Sequence, residues 1–147
     1  MISPSHSVRV RVARAADAPV LGRLLVELGY PQPMAELGAR IQELADRGTD
    51  IVLVAETGEQ VVGVVSLHVT PFFNEGRCQG RVTALVVDSE WRGQGVGGVL
   101  LRAVEAAARR RGCATMELTS SAHRREAHRF YVAAGYQDVP HRFLKPL

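Results

Sequence analysis

Seven consecutive residues, Arg92-Gly93-Gln94-Gly95-Val96-Gly97-Gly98, carry the strongest chemical signal in this chain. They follow the apolar run Val82 to Val87 and open a stretch in which Val96, Val99, Leu100, Ala103, Val104 and Ala107 recur at helical spacing. The first amides of a helix have no intrahelical acceptor, and the helix dipole makes that end positive. Glycines at 93, 95 and 97 remove the side chains that would keep an anion from those amides, and Arg92 adds a full charge at the mouth. The chemistry is phosphate binding; the plain alternative is a turn whose glycines serve only the backbone. Two familiar nucleotide signatures fail here. A P-loop needs Lys and then Ser or Thr after its last glycine, whereas Gly97 and Gly98 lead to Val99. A dinucleotide fingerprint follows the first strand, with Gly-x-Gly-x-x-Gly and an acidic residue about 20 positions on. This turn comes late and reads Gly-x-Gly-x-Gly, so the expected ligand is a diphosphate of another kind.

The elements around this turn alternate between the two periodicities. Val8 to Val12 reads as a first strand, and Asp17 as the N-cap of a helix with its apolar stripe on Val20, Leu21, Leu24, Leu25 and Leu28. Tyr30-Pro31-Gln32-Pro33 breaks it, and Leu37, Ile41 and Leu44 mark a second helix stopped by Gly48. Ile51 to Ala55 and Val61 to Val69 are β-branched runs joined by a turn around Gly58, which predicts an antiparallel hairpin. Thr70 to Gly80, with Pro71, Asn74 and Gly76, reads as a mobile loop. After the long helix, which ends at Gly112, come a strand at Thr115 to Thr119, a helix from about Arg125 to Ala134, and short strands at Tyr136 to Val139 and Arg142 to Leu144. No repeat, low-complexity tract or compositional break suggests a linker, so a single domain over 1–147 is expected.

Composition narrows the class. The chain has 147 residues, 46% of them hydrophobic and 22% charged, which is enough apolar matter for one packed core. No apolar run approaches the roughly 20 residues of a membrane span, and the first residues lack a secretion signal, so the expected compartment is cytoplasmic. The formal charge of +3 is carried by scattered arginines, with a triplet only at Arg109 to Arg111, where a helix end favours cations. That pattern argues against a nucleic-acid partner. Cys78 and Cys113 are too few for a disulfide framework or a metal cluster and are expected to be two reduced thiols, with no metal site.

Arg92-Gly93-Gln94-Gly95-Val96-Gly97 matches the Arg/Gln-x-x-Gly-x-Gly/Ala pyrophosphate loop of the GNAT family of N-acetyltransferases, and Ala127 with Phe130-Tyr131 and then Gly135-Tyr136 matches that family's later motif. The order of elements agrees from Val8 to Leu144, so the chain resembles this family over almost its whole length. Val61 to Leu147, with His68, Ala127 to Tyr131 and Arg142 to Leu147, looks most like the aminoalkylphosphonate N-acetyltransferase branch.

The resemblance implies an α/β (α+β) domain. Its mixed, mostly antiparallel sheet has six to seven strands, splayed between strands four and five and flanked by about four helices. It implies acetyl-CoA as co-substrate, held by main-chain groups of Leu85, Val86 and Val87, by Arg92, Gly93, Gln94, Gly95, Val96, Gly97 and Gly98, and by Ser121 where relatives often carry asparagine. His123, Arg124 and Arg125 lie where nucleotide phosphates would reach. By the same resemblance the Tyr131 phenol faces the cofactor sulfur and gives the departing thiolate its proton. Relatives often carry a glutamate base at the position of Ala84, which has no proton acceptor. His68 is then the foremost base, with Glu75 and His141 as candidates acting through water.

Three functions follow from this: transfer of acetyl to the primary amine of a small molecule by direct attack in a ternary complex, acetylation of a protein or peptide, or acetyl-CoA sensing without catalysis. Arg77 and Arg81 beside the loop suit an acidic or phosphonate-bearing acceptor, and the apolar end Phe143 to Leu147 suits a homodimer.

Overall fold

A computed structural model describes residues 7–120, 124–140 and 142–147. The chain runs β1 (Arg9–Val12), a 3-10 turn (Ala15–Asp17), α1 (Ala18–Leu28), α2 (Met34–Arg47), β2 (Asp50–Thr57), β3 (Gln60–Pro71), β4 (Cys78–Val87), a second 3-10 turn (Ser89–Trp91), α3 (Val96–Arg110), β5 (Cys113–Leu118) and α4 (Arg125–Ala133). The strands lie in the order β1-β2-β3-β4-β5. The first three pairings are antiparallel and β4 with β5 is parallel, giving the mixed, mostly antiparallel sheet expected.

The alternation of side chains splits the core into two layers. On one face Leu53, Ala55, Val65, Leu67 and Val82 pack under Val96, Leu100, Leu101, Val104 and Ala108 of α3. On the other, Val54, Val64 and Val86 meet Leu21 and Leu24 of α1 and Leu37 and Ile41 of α2. Each fully buried Leu or Val contributes about 1.5–3 kcal/mol relative to exposure. Gly63 allows the first layer to close: a β-carbon there would lie 2.9 Å from Leu100 Cδ1 and 3.3 Å from Val96 Cγ1.

Helix ends follow the glycine signals. Gly29 and Gly48 take left-handed conformations after α1 and α2, and Gly112 and Gly135 do so after α3 and α4. Asp17 corrects the N-cap expectation: its carboxylate makes no cap bond to α1. Instead it accepts from the guanidinium of Arg11 at 2.8 and 2.9 Å and from the Arg14 amide at 2.7 Å. The bidentate guanidinium of Arg11 and the Arg14 amide hold the carboxylate turned back toward β1 and the 3-10 turn, away from the amides of α1.

Among the described residues there are five strands, not six or seven. Tyr136 to Val139 and Arg142 to Leu144 form no strand. Tyr136 is held by α3 through a 2.9 Å bond from its hydroxyl to Glu105, Pro140 interrupts pairing, and Val139, Phe143 and Leu144 stay exposed. The loop expected over Thr70 to Gly80 shortens to 72–77, because β3 and β4 pair through Thr70↔Gln79 and Pro71↔Cys78. Pro71 sits at the end of its strand, where a missing N–H costs little. Among the described residues no helix is long and apolar enough to cross a membrane.

Candidate active site

β4 and β5 part company halfway. Their pairing runs from Cys78↔Cys113 to Val82↔Leu118 and stops, while β4 continues to Val87 against β3 alone. This is the splay between strands four and five. Main-chain groups along the free stretch alternate in direction. The Asp88 amide donates to Val62 O at 2.8 Å and the Val86 carbonyl lies against Gly63, so these two residues turn toward β3. Leu85 and Val87 therefore turn theirs into the gap. Their side chains and that of Val86 are committed to the two core layers.

The glycine turn follows directly. Asp88 is buried, its carboxylate accepts from the Glu90 amide at 2.9 Å, and Arg23 of α1 stands 3.6 Å away. Gly93 and Gly95 have φ of +75° and +85°, which a side chain would strain, and Gly95 is the N-cap of α3. The first helical bond is Val99 N–H to Gly95 O at 3.1 Å, which leaves the amides of Val96, Gly97 and Gly98 at the open end without an intrahelical acceptor. The buried Val96 side chain seats this turn on the sheet. The Arg92 side chain does not stand free over the mouth: Nε donates to Val87 O at 3.1 Å and a terminal nitrogen to Glu27 at 3.3 Å. The Gln94 side chain donates through Nε2 to Glu90 O at 3.3 Å.

Helix α4 reaches the site through Phe130. A β-carbon on Gly97 would lie 3.5 Å from the Phe130 ring and 3.8 Å from Val87 Cγ2, so Phe130 spans the start of α3 and the end of β4. Tyr131 stacks edge-on with Phe130 at 5.2 Å and with Tyr136 at 6.0 Å. Burial pushes the Tyr131 phenol above its ordinary pKa, against a smaller opposing effect of Arg124. Among the described residues its hydroxyl has no hydrogen-bond partner, so its proton is available to a ligand. Tyr136 titrates higher still, from burial and its bond to Glu105.

His68 lies on the opposite side of the parting. Val65 and Leu67 point to α3, so Ser66 and His68 point to the other face. His68 Nδ1 is 2.9 Å from Oδ1 of Asp50, which is nearly enclosed while the imidazole is half-exposed. Register continues this row across the sheet, with His68 opposite Arg81 and Arg81 opposite Glu117, to which Arg81 is ion-paired. Ser66, opposite Ala84, touches the Thr83 hydroxyl. Two residues of strand, about 7 Å, separate His68 from Ser66, so His68 sits one step along the same face from the Ala84 position. Glu75 and Arg77 are exposed in the 72–77 loop; Arg124 precedes α4 and Arg125 opens it. Ser121, His123 and His141 lie outside the described residues.

Asp50, Glu117 and Thr83 are the polar neighbours that sequence reasoning missed, because only strand register brings them to His68, Arg81 and Ser66. The arrangement offers amides for a diphosphate, an unpaired strand edge for an extended ligand, a phenol proton on one side and a carboxylate-bound imidazole on the other.

The model of the Acetyltransferase (GNAT) family matches residues 21–136. Over 104 residues the chain is 38% identical to aminoalkylphosphonate N-acetyltransferase of Salmonella typhimurium, spanning 71% of this chain and 67% of that one. It is 37% identical over 91 residues to N-acetyltransferase 8F1 of Rattus norvegicus, covering 62% of this chain and only 41% of that longer protein. Among solved structures, an acetyltransferase of Trypanosoma brucei superposes with a TM-score of 0.80 at 26% identity, covering 96% of this chain and 100% of the other.

Proposed function

The chain belongs to the GNAT acetyltransferase family, and from that premise we propose that it transfers the acetyl group of acetyl-CoA to the primary amine of a small molecule by direct attack in a ternary complex. The observation that carries this reading is the parting of β4 and β5, which leaves the end of β4 without a β5 partner beside the open amides of α3, with Tyr131 next to the Phe130 ring that rests on the start of α3. These residues fit an extended thioester with a diphosphate at one end. Bound there, acetyl-CoA supplies an activated acetyl group.

The chain's own residues supply the rest. The amides of residues 93–98 hold the diphosphate without side-chain obstruction, with Arg92 propping the turn through Val87 and Glu27. A main-chain N–H of Leu85 or Val87 donates to the carbonyl oxygen as negative charge grows on it. Tyr131 protonates the departing sulfur. His68, oriented by Asp50, takes the surplus proton of the amine through water, in place of the carboxylate absent at Ala84. Ser121 would add a polar contact to the bound arm. Arg81 is already paired with Glu117, which leaves Arg77 as the freer cation for an acidic acceptor such as an aminoalkylphosphonate. The exposed Phe143, Leu144 and Leu147 support pairing of two copies, and the chemistry suits the cytoplasm.

The test is thiol release from acetyl-CoA with aminoalkylphosphonates, polyamines, aminoglycosides and short peptides, beside Tyr131→Phe. Release with one small-amine class, suppressed in the variant, is the expected result. Release only with peptides makes the acceptor a polypeptide; binding of acetyl-CoA without release from any amine makes the chain a sensor.

A further inference from the structure

The two cysteines stand opposite one another in the parallel pairing, Cys78 opening β4 and Cys113 opening β5. Both are free and half-buried. The Cys78 sulfur lies 3.5 Å from the Cys113 sulfur and 3.4 Å from the Arg111 carbonyl oxygen. Neighbouring strands run about 4.8 Å apart, inside the roughly 4.4–6.8 Å between α-carbons that a disulfide spans. The pairing also shifts here: Cys78 faces Cys113 while Gln79 faces Thr115, so Ala114 is an extra residue beside the pair. Such a bulge lets the strand ends rotate to reach disulfide geometry. Among the described residues no group of three His, Cys, Asp or Glu gathers for a metal, so the sulfurs have each other as partners.

We propose that Cys78 and Cys113 form an oxidative modification site, closed by a peroxide into a disulfide clamp between β4 and β5. Cys78 Sγ attacks one peroxide oxygen, the O–O bond breaks, and the second oxygen leaves as water with the thiol proton. Cys113 Sγ then attacks the Cys78 sulfur, the S–O bond breaks, and the hydroxyl leaves as water with the Cys113 proton. The pair loses two electrons and two protons, and the peroxide becomes two waters. Burial, followed by the Cys78 contact, pushes the Cys113 thiol up to about 11, which makes it the resolving partner rather than the first to react. The bond closes the end of the pairing away from the parting. Among the described residues β5 is an edge strand held to the sheet through β4 alone, so a clamp at its first residue suppresses fraying along the whole strand.

The test treats the full chain with hydrogen peroxide at pH 8.5, alkylates it in denaturant with N-ethylmaleimide and weighs it intact. Expected is a single chain two hydrogens lighter that takes no maleimide and regains two adducts after dithiothreitol. Cys78→Ser and Cys113→Ser, checked for native circular dichroism, each fail to lose the two hydrogens. Amide exchange over residues 114–118 slows about ten-fold in the oxidised form relative to the reduced form. Two maleimide adducts persisting after peroxide, links only between chains, or unchanged β5 exchange would each overturn the proposal.

Discussion

Asp50 and His68 face one another from β2 and β3 with Oδ1 2.9 Å from Nδ1, and the contact leaves Nε2 as the outward nitrogen of the ring. A carboxylate on one imidazole nitrogen sets which nitrogen carries the proton and how the ring is aimed. His68→Ala is expected to lower kcat/KM about 10²-fold, and Asp50→Asn by less. Because Asp50 acts through His68, the double variant is no worse than His68→Ala alone. Steady-state thiol release measures all three; additive losses would separate the two residues.

Tyr131→Phe keeps the ring stack and removes only the hydroxyl. The expected loss is about 10²–10³ in kcat, with acetyl-CoA affinity unchanged within a few-fold. Burial raises the phenol above its ordinary pKa, so the wild-type rate does not fall between pH 7 and 9 through loss of this proton. A kcat equal to wild type, or a rate declining with a group titrating in that window, would take the acid role from Tyr131.

The glycines around α3 separate by space and by backbone. Gly63→Ala drives a β-carbon to 2.9 Å from Leu100 and is expected to destabilise by about 1–3 kcal/mol. Gly95→Ala, at φ +85°, costs about 1–2 kcal/mol in backbone strain. Gly97→Ala meets Phe130 at an ordinary 3.5 Å, so its stability stays within about 1 kcal/mol of wild type, while acetyl-CoA affinity falls because the methyl stands at the amides. Denaturant melts and calorimetric titration distinguish the three.

Asp17 titrates below its ordinary value, first through its hydrogen bonds with Arg11, against burial. A depressed folded pKa gives stability that is present above the unfolded value near 4 and lost as pH falls through the folded one. Unfolding midpoints should therefore drop on acidification below about pH 4, and Asp17→Asn should show a shallower drop over that window together with a lower midpoint at pH 7. A parallel acid limb in the variant would show that other carboxylates set it.

The helices, the hairpin and the glycine turn are legible in the sequence because each rests on a local signal, such as Gly48 after α2 or the stripe from Val96 to Ala107. The polar row is not, and one residue explains why. From the turn, Thr57 faces Gln60 and Glu56 faces Val61, but Ala55 faces Gly63, so Val62 is an extra residue. Counting without that bulge sets Asp50 opposite Leu67, on the wrong face; with it, Asp50 meets His68. The strands expected at Tyr136 to Val139 and Arg142 to Leu144 do not form, and Tyr136 finds its partner in Glu105 of α3 instead of a neighbouring strand.

The seat of the glycine turn is drawn from distant parts of the chain: Gly63 beneath Val96 and Leu100, Val62 holding Asp88, Arg23 beside Asp88, and Glu27 on Arg92. The β2-β3-β4 meander closes through short connections, each with a small loop-closure cost. Arg23 and Glu27 both belong to α1, so an opening that lifts α1 off the sheet takes these two side chains from the turn while leaving the β2-β3-β4 pairing intact.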